Sequence, residues 1–349
     1  MSDKVTRGVV IHAPRDLRIE SVAAIAPGPR EVRIAIEAGG ICGSDLHYFN
    51  HGGFGAVRIK EPMVLGHEIA GKVVEVGSAV NDVTAGMRVA VNPSQPCNEC
   101  RYCREGMRNQ CANMRFMGSA MRFPHVQGGF RQSLTVDAAQ VVPIPDAMTL
   151  AEAAMAEPLA VCLHAARRAG SLMGKRVLIT GCGPIGALMV LVSAHAGAAD
   201  IVVTDVSDFP LTLARRIGAS RTINVATERD GLKDYAAGKG TIDVLFEASG
   251  HQTALTAAFD AIRPGGVIVQ LGLGGDMTLP MNVVVAKEFE LRGTFRFDPE
   301  FALAVELMSK KLIDVKPLIT QSLHFDRASE AFETAGDRSK AIKVQLSFA

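Results

Sequence analysis

Four of the seven cysteines lie within fifteen positions of one another, spaced C-x2-C-x2-C-x7-C: Cys97, Cys100, Cys103 and Cys111. Four thiolates at this spacing can surround one zinc ion tetrahedrally and leave no coordination position open, which is typical of a structural zinc site. The competing interpretation is an iron–sulfur cluster, but the last cysteine lacks a following proline and the sequence contains no companion run. The spacing therefore favours a structural zinc.

A second set of potential ligands is spread over more than a hundred positions. Cys42 lies in GGICGSDLHYF, His67 and Glu68 lie in GHEIAGKVVEVG, and Glu157 lies in AEPLAV. A thiolate, an imidazole and a carboxylate supply three protein ligands, which leaves the fourth position of a zinc ion for water or substrate. Taken singly, the same residues also fit a core thiol, a turn histidine and surface acids. Their spacing alone leaves both interpretations open.

A glycine-rich turn, GCGPIG, follows a predicted strand at residues 176–180 and opens a predicted helix. In this context a dinucleotide pyrophosphate binds at the helix N-terminus. Asp205 ends the next strand, where a carboxylate would accept hydrogen bonds from the adenosine ribose. The four residues after it contain no Arg or Lys to hold a 2′-phosphate, which favours NAD over NADP. The predicted cofactor-binding residues are Gly181, Gly183, Pro184, Ile185, Gly186 and Asp205, together with Gly272 in a later turn near the nicotinamide.

The secondary structure that must position these residues follows two different sequence patterns along the chain. Residues 1–155 contain short β-rich runs such as EVRIAIEA, cut by Gly and Pro turns. Residues 156–295 alternate apolar strands with helical patterns such as IGALMVLVSAHAG and TALTAAFDAIRPGG, which predicts an α/β fold with a doubly wound parallel sheet. Residues 296–349 lack a further β-α-β unit, and we expect them to return to the first domain.

Length and charge exclude several classes of protein. A chain of 349 residues predicts two domains. With 37 basic and 36 acidic residues, the net charge produces no electrostatic attraction for nucleic acid or an anionic membrane. The start, MSDKVTRGVV, does not resemble a signal peptide, and the apolar run IGALMVLVSAHAGAA is short for a bilayer span. We therefore expect a cytoplasmic protein with a small-molecule partner, no membrane segment and no bound nucleic acid.

Together these motifs resemble one family. The segments GGICGSDLHY and GHEIAGKVVEVG, the four-cysteine lobe and the glycine-rich turn are similar, in this order, to zinc-dependent medium-chain alcohol dehydrogenases of the polyol (sorbitol) dehydrogenase branch. The resemblance covers essentially the whole chain. It implies a GroES-like β-rich catalytic domain, a Rossmann domain, NAD, two zinc ions per subunit and a homo-oligomer, either dimer or tetramer. It also implies that Cys42, His67 and either Glu68 or Glu157 hold the catalytic zinc.

Within that branch, segments such as NMRFMGSAMRFPHVQGGF and AGDRSKAIKVQL resemble the L-idonate 5-dehydrogenase subgroup. This implies interconversion of L-idonate and 5-keto-D-gluconate. The alternative is a polyol dehydrogenase acting on sorbitol or xylitol, or another dehydrogenase of secondary alcohols. A rival of a different class is a zinc-stabilised binding module, against which the near-zero net charge counts.

The same resemblance implies a proton relay and a substrate site. Ser44 and His47 resemble the relay that carries the substrate proton to solvent, although Ser44 also fits a turn residue.

A sugar acid carries a carboxylate that an arginine can bind through two hydrogen bonds. We expect Arg115 or Arg122 to bind this carboxylate, because both lie in the segment particular to the subgroup. Arg296, in GTFRF, matches an arginine near the substrate in polyol dehydrogenases and would reach nearer hydroxyls or the zinc-water network. Phe116 would line the site. The alternative for Arg115 and Arg122 is that each is a solvated surface arginine, and the alternative for Phe116 is that it only packs in the core.

Overall fold

The computed structural model describes residues 5–348. Its first part is rich in short strands: β1 Val5–Ala13, β2 Asp16–Ala23, β3 Glu31–Gly40, β4 Gly53–Phe54, β5 Val57–Arg58, β6 Met63–Val64, β7 Glu68–Val76, β8 Arg88–Val91, β9 Ser94–Gln95, β10 Arg115–Phe116, β11 Ser133–Asp137 and β12 Val141–Pro143. Three short helices accompany them: α1 Gly43–His51, α2 Arg101–Arg104 and α3 Leu150–Ala153.

The second part alternates strands and helices. The strands are β13 Arg176–Thr180, β14 Asp200–Asp205, β15 Arg221–Asn224, β16 Ile242–Glu247, β17 Ile262–Gln270 and β18 Glu290–Gly293. The helices are α4 Ala156–Ala169, α5 Pro184–His195, α6 Asp208–Arg216, α7 Gln252–Ala257 and α8 Met281–Ala286. Four elements complete the chain: α9 Glu300–Ser309, β19 Ile319–His324, α10 Ala328–Gly336 and β20 Lys343–Ser347.

The strands of the second part form one parallel sheet in the order β15-β14-β13-β16-β17-β18. Hydrophobic clusters cover both faces of this sheet, which explains why its central strands β13, β14 and β16 are largely apolar. The strand order reverses between β13 and β16. Ligands bind in such sheets at the carboxyl ends of the strands on either side of this reversal.

The first sheet has seven strands, and its path β12-β8-β7-β3-β20-β19 contains two strands from the end of the chain. Strand β3 alternates buried and partly exposed residues, so it packs one face on the core. Strand β20 pairs antiparallel with β3, with Gln345 opposite Gly40. Strands β19 and β20 therefore lie in the sheet of the β-rich part, whereas α9 packs against α4 in the hydrophobic cluster of the parallel sheet.

One predicted helix is only partly correct. The pattern TALTAAFDAIRPGG predicts helix throughout, but α7 ends at Ala257 and β17 begins at Ile262. The Pro-Gly-Gly that follows cannot continue a helix, and the apolar residues before it serve the strand instead. Within residues 5–348, no helix is both long and apolar enough to cross a membrane.

Candidate active site

The four cysteines of the lobe between β9 and β10 converge on one point. Their sulfurs lie within 4.8 Å of one another, and three of the separations are 3.4 Å, 3.5 Å and 3.9 Å. A tetrahedron with Zn–S bonds of 2.3 Å has sulfurs about 3.8 Å apart. The backbone N–H groups of Glu99 and Cys100 donate to the Cys97 sulfur and lower the pKa of this thiol to about 6. The cluster therefore fits a zinc ion with no open position.

Cys42, His67 and Glu68 come together at the start of two elements. Cys42 is the N-cap of α1, and the other two residues lie where β7 begins. Their ligand atoms lie within 4.8 Å of one another. The Nδ1 atom of His67 is buried without a hydrogen-bond partner, and burial raises the pKa of the Cys42 thiol to about 12. A metal cation would satisfy both groups, so these residues fit a zinc ion.

Asp45 joins the two elements that carry these ligands. One carboxylate oxygen accepts a hydrogen bond from the Cys42 backbone N–H at 3.0 Å, and the other accepts from Gly66 N–H at 3.3 Å. Gly66 has a φ of +91°, and a Cβ there would lie 2.1 Å from the Phe130 ring. The turn before His67 therefore requires glycine. Sequence reasoning missed Asp45, although its position in the first turn of α1 is a capping signal.

Lys343 supplies a buried positive charge that sequence reasoning also missed. Its Nζ donates to both Glu68 oxygens, at 2.7 Å and 2.8 Å, and to the Ile41 carbonyl at 3.1 Å. The exposed fractions of the Lys343 and Glu68 side chains are 2% and 1%. Each carboxylate oxygen has a second lone pair, so Glu68 can accept these bonds and still face a metal.

Glu157 lies in the first turn of α4, buried, but outside the group formed by Cys42, His67 and Glu68. Burial raises the pKa of Glu157 to about 8, against a lowering effect from His67. The carboxyl group therefore lies beside the three ligands rather than among them.

Ser44 and His47 lie on consecutive turns of α1, three positions apart, and so share a face of this helix. Burial lowers the pKa of His47, and the neighbouring His51 lowers it further. His47 lines a cavity of 900 Å³ together with Gly272 and the turn that follows it. The helix thus runs from the Cys42 ligand to the cleft between the two parts of the molecule.

The glycine-rich turn has the geometry that a pyrophosphate requires. Gly181 has a φ of +82°, and a Cβ on Gly186 would lie 1.9 Å from the Gly181 carbonyl oxygen. A Cβ on Gly183 would meet no atom within 4 Å, so this position faces open space. Pro184 begins α5 and Ile185 follows, so that the helix N-terminus points at this space.

Asp205 differs in one respect from the expected arrangement. Its Oδ2 accepts from Cys182 N–H at 2.7 Å, and its Oδ1 accepts from the N–H groups of Val206 at 2.7 Å and Ser207 at 3.0 Å. The carboxylate therefore stabilises the two turns around it, and only its remaining lone pairs are free for a ribose.

Glu247, at the end of β16, connects the loops beside the glycine-rich turn, which sequence reasoning did not detect. Its carboxylate accepts from the N–H groups of Ser249 and Gly250, each at 2.9 Å, and from Gln270 Nε2 at 2.7 Å. Its backbone carbonyl accepts from Gly272 N–H at 2.9 Å. A Cβ on Gly272 would lie 2.1 Å from the Gly250 nitrogen. Only glycine permits this close approach of the two loops.

Arg296, Arg122 and Phe116 line one cavity of 270 Å³, which Cys111 of the four-cysteine lobe also lines. The Arg296 guanidinium lies 4.1 Å from the centre of the Phe116 ring, and that ring lies 5.5 Å from the His67 ring. Burial lowers the pKa of Arg296 to about 10. Arg122 is exposed and donates to the Asn113 carbonyl at 2.9 Å.

Arg115 lies elsewhere, which departs from the expectation that it shares the substrate site. It lines a separate cavity of 520 Å³. Arg115 and Phe116 are neighbours in β10, and successive side chains of a strand point to opposite faces. Because Phe116 faces His67, Arg115 faces away from it.

Comparisons with known proteins place this geometry in a family. The alcohol dehydrogenase GroES-like domain matches residues 28–146, and the zinc-binding dehydrogenase domain matches residues 184–310. The chain is 46% identical to L-idonate 5-dehydrogenase (NAD(P)(+)) of Escherichia coli, over 90% of this chain and 91% of that protein. The chain belongs to the zinc-binding alcohol dehydrogenase family.

One further relative and one crystal structure support this assignment to the zinc-binding alcohol dehydrogenases. The bovine sorbitol dehydrogenase is 37% identical, over 97% of this chain and 95% of that protein. The crystal structure of the Escherichia coli L-idonate 5-dehydrogenase superposes with a TM-score of 0.94 at 42% identity and covers 99% of both chains. The family resemblance and the predicted combination of a GroES-like domain with a Rossmann sheet are confirmed. The protein is a zinc- and nicotinamide-dinucleotide-dependent dehydrogenase.

Proposed function

We propose that this dehydrogenase oxidises a secondary alcohol of a sugar acid, L-idonate to 5-keto-D-gluconate, and catalyses the reverse reaction. One observation carries the proposal. Arg122 and Arg296 line one cavity with Phe116, whose ring lies 5.5 Å from the His67 ring, and within residues 5–348 neither arginine has a carboxylate within 4.0 Å. Two guanidinium groups without a carboxylate partner in one cavity favour a substrate with an anionic end. The named activity of the Escherichia coli relative agrees with this chemistry.

We propose Cys42, His67 and Glu68 as the ligands of the catalytic zinc and Cys97, Cys100, Cys103 and Cys111 as those of the structural zinc. Glu157 would contact the substrate or water beside the first ion. When bound, the catalytic zinc supplies a Lewis acid for the substrate hydroxyl, and NAD accepts the hydride. Asp205, with no cation in the next four residues, supports NAD as the acceptor.

The residues of α1 move the proton. Because its pKa is lowered, the His47 imidazole is neutral near pH 7 and can accept a proton at a ring nitrogen. Ser44 lies one turn earlier on the same face, so its Oγ can pass the proton of the substrate hydroxyl towards His47. Arg122 and Arg296 hold the carboxylate, and the Phe116 ring excludes water on the other side.

The alternative is a neutral polyol as substrate, which the 37% identity to sorbitol dehydrogenases favours. NADH formation by the zinc-loaded protein should be measured with L-idonate, D-gluconate, sorbitol, xylitol and L-threonine. We expect the highest kcat/KM with L-idonate. A higher value with sorbitol or xylitol would replace the proposed substrate while leaving the dehydrogenase chemistry in place.

Arginine variants test the substrate site separately. Arg296→Ala and Arg122→Ala should each raise the KM for L-idonate by about tenfold, because each removes a charge-assisted hydrogen bond. Arg115→Ala is the matched control, since its side chain lies in another cavity, and should leave this KM unchanged. Equal effects of all three substitutions would contradict the assignment.

We further propose a homo-oligomer, dimer or tetramer, in the cytoplasm. Strand β18 ends the parallel sheet, and Leu291 on this strand with Met281 and Val285 on α8 is exposed and apolar. An unpaired edge beside such a patch favours association of two copies. Sedimentation of the wild type and of Val285→Lys tests this association. The lobe cysteines must stay reduced to bind a metal, which supports a reducing compartment.

A further inference from the structure

The cavity of 520 Å³ that Arg115 lines has no ligand in the proposed function. It lies against β11, the end of β2 and residues 125–127. Among the described residues, none of the proposed zinc ligands and none of the proposed cofactor-binding residues lines it. This cavity is therefore separate from the site of the proposed reaction.

A buried arginine forms part of the wall of this cavity. Arg131 lies two positions before β11 and is only 9% exposed. Its Nε donates to the Gly128 carbonyl at 3.0 Å, but within residues 5–348 its two Nη groups have no hydrogen-bond partner and no carboxylate within 4.0 Å. Burial lowers the pKa of Arg131 to about 10, so the guanidinium is still charged near pH 7. A buried cation without a protein counterion favours an anion in the space that it lines.

The other charged groups of the cavity limit the charge of that anion. Arg115 is exposed and, in the described part of the chain, forms no ion pair, so it adds a second positive charge. Glu31 and Asp137 lie opposite each other at the far end of β11, four residues or about 13 Å beyond Ser133, where this strand begins. Two carboxylates at that end repel a multiply charged anion more strongly than a singly charged carboxylate.

Polar side chains with free hydrogen-bonding capacity also line the cavity. Gln127 accepts from Val64 N–H at 2.9 Å through Oε1, which leaves its Nε2 free to donate. Ser133 and Gln95 make no side-chain hydrogen bond within residues 5–348. Hydroxyl groups are both donors and acceptors and can pair with all three side chains. The lining therefore suits a ligand that carries hydroxyl groups beside its anionic end.

We propose that this cavity is a second binding site, specific for a small hydroxy-monocarboxylate and distinct from the substrate site. The two Nη groups of Arg131 bind the carboxylate through parallel hydrogen bonds, and Gln127 and Ser133 bind hydroxyl groups. The site does not depend on the proposed substrate, because none of these three residues takes part in the proposed reaction.

Occupation of the site stabilises the turn that precedes His67. Residues 128–130 donate backbone N–H groups to the carbonyls of residues 64–66, at 2.7, 2.8 and 2.9 Å. Arg131 follows directly in the chain, and its Nε holds the Gly128 carbonyl. A ligand that fixes the guanidinium therefore opposes opening of these hydrogen bonds, and amide hydrogen exchange measures such local opening.

Hydrogen exchange of the zinc-loaded protein, followed by mass spectrometry of peptides that cover residues 125–135, tests the site without requiring turnover. D-Gluconate and sorbitol are matched probes, because both are six-carbon polyhydroxy chains and only the former has a carboxylate. We expect about 50 mM D-gluconate, which nearly saturates a site with a dissociation constant of about 1 mM, to slow exchange in this segment. Sorbitol at the same concentration should leave the exchange unchanged.

Variants separate this site from the substrate cavity. Arg131→Met should raise the D-gluconate concentration for half-maximal protection about tenfold, because it removes the charge-assisted pair of hydrogen bonds. Arg131→Lys keeps the charge without the paired donors and should raise it about threefold, which decides the matter if the Met variant does not fold. Arg296→Ala, in the substrate cavity, is the matched control and should change it less than about threefold.

Equal protection by sorbitol and D-gluconate, or half-maximal protection that is unchanged in the folded Arg131 variants, would overturn the proposed site. Stronger protection by inorganic phosphate than by D-gluconate would overturn the assignment to a hydroxy-monocarboxylate. Failure to form NADH with any sugar acid would instead overturn the proposed substrate and leave the exchange result unaffected.

Discussion

The two metal-binding regions are built in opposite ways. The four-cysteine lobe takes all its ligands from fifteen consecutive positions, and backbone N–H groups of the same segment donate to the sulfurs. The proposed catalytic centre takes Cys42, His67 and Glu68 from two elements, and the buried side chains of Asp45 and Lys343 connect these elements. In this protein the site with four protein ligands is built from one segment of the chain. The site with an open coordination position depends on residues that are distant in sequence to keep its ligands in place.

The largest expected effect is at the open centre. His67→Ala removes a ligand, and we expect kcat/KM to fall by at least about a thousandfold because the Lewis acid is lost. Metal analysis should then find one zinc ion per chain instead of two, with the thermal unfolding midpoint little changed. Wild-type activity in this variant would show that His67 is not a ligand of the catalytic zinc.

Lys343 tests whether the distant charge maintains the centre. Lys343→Met leaves Glu68 buried without its partner, and we expect the zinc-free protein to lose about 3–5 kcal/mol of stability in urea unfolding. Lys343→Arg keeps the charge and should recover part of this loss. Equal stability of Lys343→Met and the wild type would mean that the ion pair contributes nothing to the fold.

A substitution in the four-cysteine lobe should lower stability and spare catalysis, which is the reverse of the effect expected for His67→Ala. Cys103→Ser should lower the thermal midpoint by about 5 °C and release one zinc ion, because metal binding there contributes to folding. The kcat/KM of the folded fraction should stay within about threefold of the wild type. A stable variant with slow catalysis would show that the lobe takes part in the chemistry.

The smallest expected effect concerns the helix that carries Glu157. Glu300 of α9 accepts from His164 Nδ1 at 3.1 Å and Arg167 Nη1 at 2.9 Å of α4. Burial alone would raise the pKa of Glu300, but His164 and the backbone N–H groups of Asp298 and Glu300 lower it to about 2. A lowered pKa stabilises the fold above pH 4.5, the ordinary value for Glu, and this stability is lost as the pH falls towards 2.

The measurement is the pH dependence of unfolding in the wild type and in Glu300→Gln. We expect the variant to be less stable by about 1–2 kcal/mol near pH 6, with the difference shrinking below pH 4. A difference between the two proteins that does not change with pH would exclude an effect of Glu300 ionisation.

The sequence predicts the features that are local in the chain better than those that depend on contacts between distant residues. The lobe, the glycine-rich turn and the alternation of strands and helices are local patterns, and their elements are where the sequence places them except at α7, which ends at Ala257. Lys343 was missed because its partner Glu68 lies 275 positions away and no spacing connects them. Arg115 was grouped with Arg122 by segment, whereas the two-residue strand β10 separates Arg115 from Phe116 by turning them to opposite faces.

Strand β20 has a consequence for the order in which the protein is made. It pairs with β3, which is synthesised some three hundred residues earlier, and it delivers Lys343 to Glu68. During synthesis the Rossmann sheet is complete before this strand emerges, because all its strands precede residue 300. Until then residues 38–40 of β3 have no partner on the edge that β11 covers only at residues 31–35, and Glu68 lacks its cation. The nascent catalytic domain is therefore most exposed to misassembly in the interval before β20 emerges.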